Sequence, residues 1–309
     1  MSALRQALAD YLAVRRALGY KLERAEKLLG QFLDYLHDED AHTVTVEHAL
    51  AWATAPAGDP WWHALRLNAV RPFAVYLHAR DPRHEVPPAG LIRYGSSRAT
   101  PYLYSPAQIE ALVTTAQRLP FPLHALVFPV LIGLLAVTGM RVGEALALQD
   151  QDVDADQGIV TVRDGKFGKS RLLPVHPSTI DALLHYRQAR DQFVPATVIR
   201  ALFVTSSGGP MDRPNVDRTF QQIAKNAGVT PRSAACRPRV HDLRHSFAVA
   251  TLLDAYRNRD DVQAMLPRLS TYLGHVKPKD TYWYLSAAPE LLALAGERLE
   301  RHFNAGDAA

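Results

Sequence analysis

Apolar positions recur at helical spacing through the first eighty residues. From Ala3 to Leu18 they fall three and four apart, and Gly19 supplies a stop. Leu22 to Leu36 repeats the pattern. Thr45 is placed to cap a third helix running to about Ala53, with Glu47 favourable in its first turn. A fourth helix is predicted from about Pro60 to Arg80, in "WWHALRLNAVRPFAVYLHAR". Pro72 inside it predicts a kink or a break, because proline lacks the backbone donor and crowds the preceding turn. Four such helices suggest a small bundle.

The periodicity then lapses. "DPRHEVPPAGLIRYGSSRATPYLYSP" is dense in proline, glycine and serine and reads as a connector. The expected organisation is a helical domain over 1–85, a linker over 86–104 and a second domain over 105–309. Ser105 opens the latter as an N-cap, with Gln108 completing a capping box. Helices are predicted at about 106–119 and 122–138, and another starts after the turn at Gly139. "GIVTVRDGKFGKSRLLPV" reads as two strands around a glycine-containing turn, an antiparallel hairpin. Helices at about 177–193, 214–228 and 241–256, a short strand at 202–205 and a mostly helical remainder to His302 complete the pattern. The fold class is mainly α with a small antiparallel β-sheet.

Composition narrows the class. A chain of 309 residues fits about two domains, and 48% hydrophobic with 21% charged residues is globular rather than disordered. The single cysteine, Cys236, excludes an intramolecular disulfide and a thiolate zinc site, and suits a reducing compartment. The most apolar stretch, Leu123 to Val137, contains Pro129 and is too short to span a bilayer. The N-terminal residues lack a signal-peptide core. The expectation is therefore a cytoplasmic protein without a membrane partner. A net charge of +4 and a pI of about 9.2 are compatible with a nucleic-acid partner without singling one out.

Three segments could carry chemistry. Arg141, in "TGMRVGEAL", enters a helix where a guanidinium can grip an anion bidentately, with Glu144 one turn on to orient it. By itself the segment equally describes a surface arginine with a helical partner, and that reading is the commoner. In "HDLRHSFA", His241 and His245 share a helix face with Arg244 between them. A metal there is disfavoured by the arginine and by the lack of a glutamate beside either histidine. A plain helix start with Asp242 in its first turn and an anion site built on Arg244 and His241 both remain open. "RDGKFGKSR" sets Arg163, Lys166, Lys169 and Arg171 around the hairpin turn, as a charged edge or as a loop reaching nucleic acid. His275, Tyr282 and Tyr284 taken singly are more often packing groups than reactive ones.

Together and in order, these pieces resemble the tyrosine recombinase/integrase family of phage-type integrases and Xer-type recombinases. The pattern is T-G-x-R-x-x-E, a lysine in a basic hairpin, H-D-L-R-H, L-G-H, and a tyrosine nine residues later; it spans Thr138 to Tyr284. The resemblance implies that Arg141, Lys166, His241, Arg244, His275 and Tyr284 are catalytic, with Tyr284 the nucleophile and Glu144 supporting Arg141. It implies an N-terminal core-binding domain that closes on DNA opposite the catalytic domain. Arg163, Lys169 and Arg171, and in the first helices Arg15, Arg16, Lys21, Arg24 and Lys27, are then candidate DNA contacts, although each alone could be a solvated charge. The implied activity is site-specific cleavage and rejoining of DNA strands through a 3′-phosphotyrosyl intermediate, with no cofactor and no metal. The implied partners are double-stranded DNA and further copies of the chain, as a tetrameric synaptic complex, with co-encoded recombinases as a further possibility. The stretch between Arg244 and His275 is longer than in Xer-type enzymes and, with "TYWYL", looks more like a transposon- or plasmid-borne branch. A DNA-relaxing topoisomerase of related chemistry and a DNA-binding accessory subunit without independent catalysis are the alternatives.

Overall fold

A computed structural model of the protein describes residues 3–94, 100–163, 170–194, 201–258, 261–275 and 281. The chain divides into two compact units, Met1–Arg98 and Ala99–Ala309.

The first unit holds α1 (Ala3–Ala17), α2 (Glu23–Asp38), α3 (Val46–Thr54) and α4 (Pro60–His78). Each start and stop has a local cause. Gly19 takes φ +86°, where a β-carbon is costly, and its N–H closes on the Arg16 carbonyl. The Thr45 hydroxyl accepts the His48 N–H, and the Asp59 carboxylate accepts the Trp62 N–H. The helices bury Leu29, Phe32, Val70 and Phe73 completely. Pro72 does not break α4, which runs on through it. Only one ladder bond is lost, and Val70, Phe73 and Ala74 remain buried on both sides of it. After α4 the chain returns to the loop before α3, where the Val44 N–H donates to His84 Nδ1 and the Val46 N–H to the Glu85 carboxylate.

The second unit holds α5 (Pro106–Ala116), α6 (Pro122–Thr138) and α7 (Val142–Leu146), then β1 (Val153–Asp154), β2 (Ile159–Val162) and β3 (Arg171–Pro174), then α8 (Pro177–Phe193), α9 (Arg213–Asn226), α10 (Asp242–Arg257) and α11 (Val262–Leu273). The Ser105–Gln108 capping box forms reciprocally. Apolar on nearly every face, α6 runs through the core and packs against α5, α8 and α10. The strands form one antiparallel sheet in the order β1-β2-β3, with Val162 opposite Arg171. The fold is thus mainly helical with a small antiparallel sheet.

Some expectations change. The stretch read as linker is divided: Ile92 packs on the first core, while Tyr102 and Tyr104 are buried in the second. The Tyr104 N–H donates to Ser246 Oγ and its hydroxyl to the Arg239 carbonyl, so the second unit is anchored before Ser105. The strand expected at 202–205 is absent. Leu202, Phe203 and Val204 are wholly buried, but only isolated bridges form there, Gln149 with Ala201 and Val204 with Pro210. The apolar run marked burial, which a strand and a buried loop share. The tip of the hairpin and the chain after Thr281 lie outside the described residues.

Candidate active site

The C-terminal end of α11 gathers the site. Its last carbonyls have no partner within the helix, and three arginines from three other elements take them. Arg171 Nε donates to the Tyr272 carbonyl at 2.8 Å, Arg244 Nη2 to that of Leu273 at 2.7 Å, and Arg141 Nη2 to that of Gly274 at 3.1 Å. The negative end of the helix dipole favours this clustering of cations.

Local sequence sets each group in place. At the end of α6, Thr138 Oγ1 donates back to the Leu134 carbonyl and accepts the Met140 N–H, while Gly139 turns the chain at φ +59°. A β-carbon on Gly139 would fall 2.4 Å from the Phe247 ring, so glycine is required for conformation and for space. Arg141 follows as the residue capping α7. Its backbone N–H donates to Glu144 Oε2 at 2.8 Å and its Nη1 to Oε1 at 2.7 Å. The same carboxylate receives Arg171 Nη1 at 3.1 Å and Nη2 at 2.8 Å. Burial works to raise the Glu144 pKa, but the bonds from Arg171 and Arg141 prevail and hold it at about 2.

Arg244, one turn into α10, is buried, and its Nη1 donates to the Gly139 carbonyl at 2.8 Å. Its Nη2 also meets His275 Nε2 at 2.8 Å. His275 follows Gly274, whose φ of +69° ends α11, and the His275 N–H closes on the Ser270 carbonyl. His275 Nδ1 lies 2.8 Å from the hydroxyl of buried Thr281. His241 stands at the N-terminus of α10, its ring edge-on to His245 at 5.1 Å between centroids. Burial, and then the charges of Arg244, Arg213, Arg239 and Arg141, push its pKa down to about 4. Asp242 is fully buried under a two-point contact from Arg239. Among the described residues, no group of three His, Cys, Asp or Glu side chains could hold a metal ion.

Four predicted residues, Arg141, His241, Arg244 and His275, are therefore brought together, with Glu144 beneath them. Lys166, Lys169 and Tyr284 lie outside the described residues. Arg171 is corrected: it is not a presented DNA contact, because its Nε and both terminal nitrogens are committed to Tyr272 and Glu144 and its side chain is 13% exposed. Arg163 is half exposed and pairs with buried Asp152. Sequence reasoning passed over Arg213, Arg239 and Thr281. Arg239 lay close to the motif residues in the basic run "RPRVHDLRH", whereas Arg213 lies 28 residues before His241; only their placement around Asp242 and His241 distinguishes them.

Three guanidiniums and the His275 imidazole thus gather around one helix end, with Glu144 bonded to Arg141 and Arg171; such a cluster of cations suits an anion rather than a cation. The phage integrase family matches residues 103–290. A Sinorhizobium fredii (strain NBRC 101917 / NGR234) protein bearing the name integrase/recombinase y4rB is 42% identical over 98% of this chain and 99% of its own. The fold also matches the Tn1549 transposon integrase solved with transposon right-end DNA, with TM-score 0.64 and 16% identity over 97% of this chain and 99% of that one. It further matches a lambda integrase tetramer bound to a Holliday junction, with TM-score 0.58 and 18% identity over 91% of this chain and 76% of that one. The chain belongs to the phage integrase family of tyrosine-type site-specific DNA recombinases.

Proposed function

We propose that the protein cleaves and rejoins DNA strands at specific sites by transesterification, with Tyr284 as nucleophile. The tyrosine oxygen attacks phosphorus, the adjoining 5′ hydroxyl leaves, and the strand is held as a 3′-phosphotyrosyl ester. A second 5′ hydroxyl then reverses the step on a new partner. One phosphoester replaces another at each stage, so no high-energy cofactor is consumed.

The observation that carries this reading is the convergence of Arg141, Arg244 and His275 on the end of α11, with His241 at the start of α10 within the field of both arginines. The transition state places extra negative charge on the phosphate oxygens. Arg141, held by Glu144, and Arg244, held by the Gly139 carbonyl, stabilise it from fixed positions. His241, neutral in its shielded position, acts as general acid/base toward the nucleophile or hydrogen-bonds a phosphate oxygen, and the surrounding cations favour the phenolate as it forms. His275 serves the phosphate by hydrogen bonding, and Lys166 supplies a proton to the leaving oxygen.

The first unit acts as the core-binding half of a DNA clamp, with Lys21 exposed between α1 and α2 and Arg24 and Lys27 exposed on α2. DNA-bound relatives, one of them a tetramer on a junction, support double-stranded DNA as partner and synapsis of four copies. Likeness to a transposon integrase supports service to a mobile element. No described helix is long and apolar enough to cross a membrane. A DNA substrate supports a cytoplasmic site of action.

The test is a pool of nicked suicide duplexes of randomised sequence, incubated with protein in EDTA. Wild type and Tyr282→Phe should become covalently attached to a selected sequence, and Tyr284→Phe should not. Equal attachment by wild type and Tyr284→Phe would remove Tyr284 as the nucleophile.

A further inference from the structure

We propose that Thr281 is a positioning residue that holds His275 as the Nδ1–H tautomer and ties its ring to the segment carrying Tyr284. The tautomer follows from hydrogen-bond polarity. A guanidinium has only donors, so the 2.8 Å contact between Arg244 Nη2 and His275 Nε2 makes Nε2 the acceptor. In the neutral ring the proton then sits on Nδ1, 2.8 Å from Thr281 Oγ1, and the hydroxyl oxygen accepts it. The main chain at His275 is held as well, because its N–H is taken by the Ser270 carbonyl at the close of α11.

Thr281 suits the task. It is 1% exposed, so water does not compete for the Nδ1 proton, and a hydroxyl is the smallest side-chain acceptor that fits. It stands six residues after His275 and three before Tyr284. One hydrogen bond therefore joins His275 to Thr281, three residues before the proposed nucleophile in sequence.

The tautomer has a chemical consequence. With Nδ1–H held, Nε2 carries the lone pair on the side of Arg244. When a phosphate oxygen takes the Arg244 donor, His275 can donate to that oxygen while keeping Nδ1–H on Thr281 only by taking up a proton at Nε2 from solvent water. The ring thus enters the reaction as an acceptor and becomes a donor on protonation, while Nδ1–H stays on Thr281. This sequence rests on the phosphate-binding role proposed above; the tautomer itself does not.

Two measurements test it. The first uses DNA-free protein with 15N-labelled histidine, the His275 signals being assigned by their loss in His275→Asn. Wild type and Thr281→Ser should show the proton on Nδ1, and Thr281→Val, similar in shape but without an acceptor, should show a mixture with Nε2–H populated, because the Arg244 contact alone then favours Nδ1–H while that proton has no acceptor. Nε2–H in wild type, or unchanged Nδ1–H in Thr281→Val, overturns the proposal. The second compares covalent attachment to the suicide duplex selected above. Thr281→Val should slow it roughly 3- to 10-fold, the size of one lost neutral hydrogen bond, with DNA affinity unchanged, and Thr281→Ser should restore the rate. An unchanged rate in Thr281→Val, or an equal loss in Thr281→Ser, overturns the coupling to chemistry. Failure of wild type to attach DNA at all would count against the recombinase reading, with the tautomer measurement standing apart from it.

Discussion

His241 shows how one side chain's surroundings set its chemistry. Burial and four neighbouring arginines depress its pKa from 6.5 to about 4. Between those values the unfolded chain binds the proton and the folded protein does not. Stability from this ring is therefore complete above pH 6.5, is lost as pH falls through the window, and levels off below about 4. After allowance for its partial exposure, the loss between pH 7 and pH 4.5 should be on the order of 2 kcal/mol. Urea unfolding of wild type and His241→Gln at the two pH values isolates it, because other titrating groups are common to both proteins. The variant should lose correspondingly less stability on acidification; parallel curves would show that the ring is not shielded.

At the scale of elements, the end of α11 is a junction rather than a boundary. Arg171 from β3, Arg141 beside α7 and Arg244 from α10 all donate to it, and Glu144 joins the first two. Removing one partner of such a buried pair costs about 3 kcal/mol or more. Arg171→Ala should therefore lower the melting temperature. Because Arg171 is turned inward, the slope of log affinity against log salt for duplex DNA should stay at the wild-type value. A phosphate contact would lower that slope by about one, which would return Arg171 to the DNA surface. Gly139→Ala should destabilise more than the ~1–2 kcal/mol of a left-handed conformation, since the Phe247 ring and the carbonyl holding Arg244 must also move. The elements themselves were largely legible: Thr45, Ser105, Gly19 and Gly139 act through neighbours a few residues away, and the order of motifs exposed Arg141, Arg244, His241 and His275. The inward turn of Arg171 was not legible. It depends on Glu144, 27 residues away, and on Tyr272, 101 residues away. Local pattern likewise could not tell the buried loop at 202–204 from a strand.

At the scale of the whole molecule, two units with separate cores divide the work by charge. The second unit spends its central arginines on Glu144 and on carbonyls, where they are fixed and shielded. In the first unit the cations differ among themselves. Arg16 is paired with Glu26 and Arg15 lies over the Tyr20 ring, whereas Lys21 and Lys27 are exposed and form no ion pair among the described residues. An unpaired lysine can release a counterion from DNA in full, while a paired arginine must first give up its carboxylate. The double variant Lys21→Ala/Lys27→Ala should therefore lower the salt slope by about two, at nearly constant thermal stability. Arg16→Ala should change the slope by less than one, because pairing with Glu26 already screens that charge. Fluorescence anisotropy on a labelled duplex across a salt series measures each slope. An unchanged slope in the double variant would mean that the first unit meets DNA through another face, and with it the reading of α1 and α2 as the gripping surface would fall.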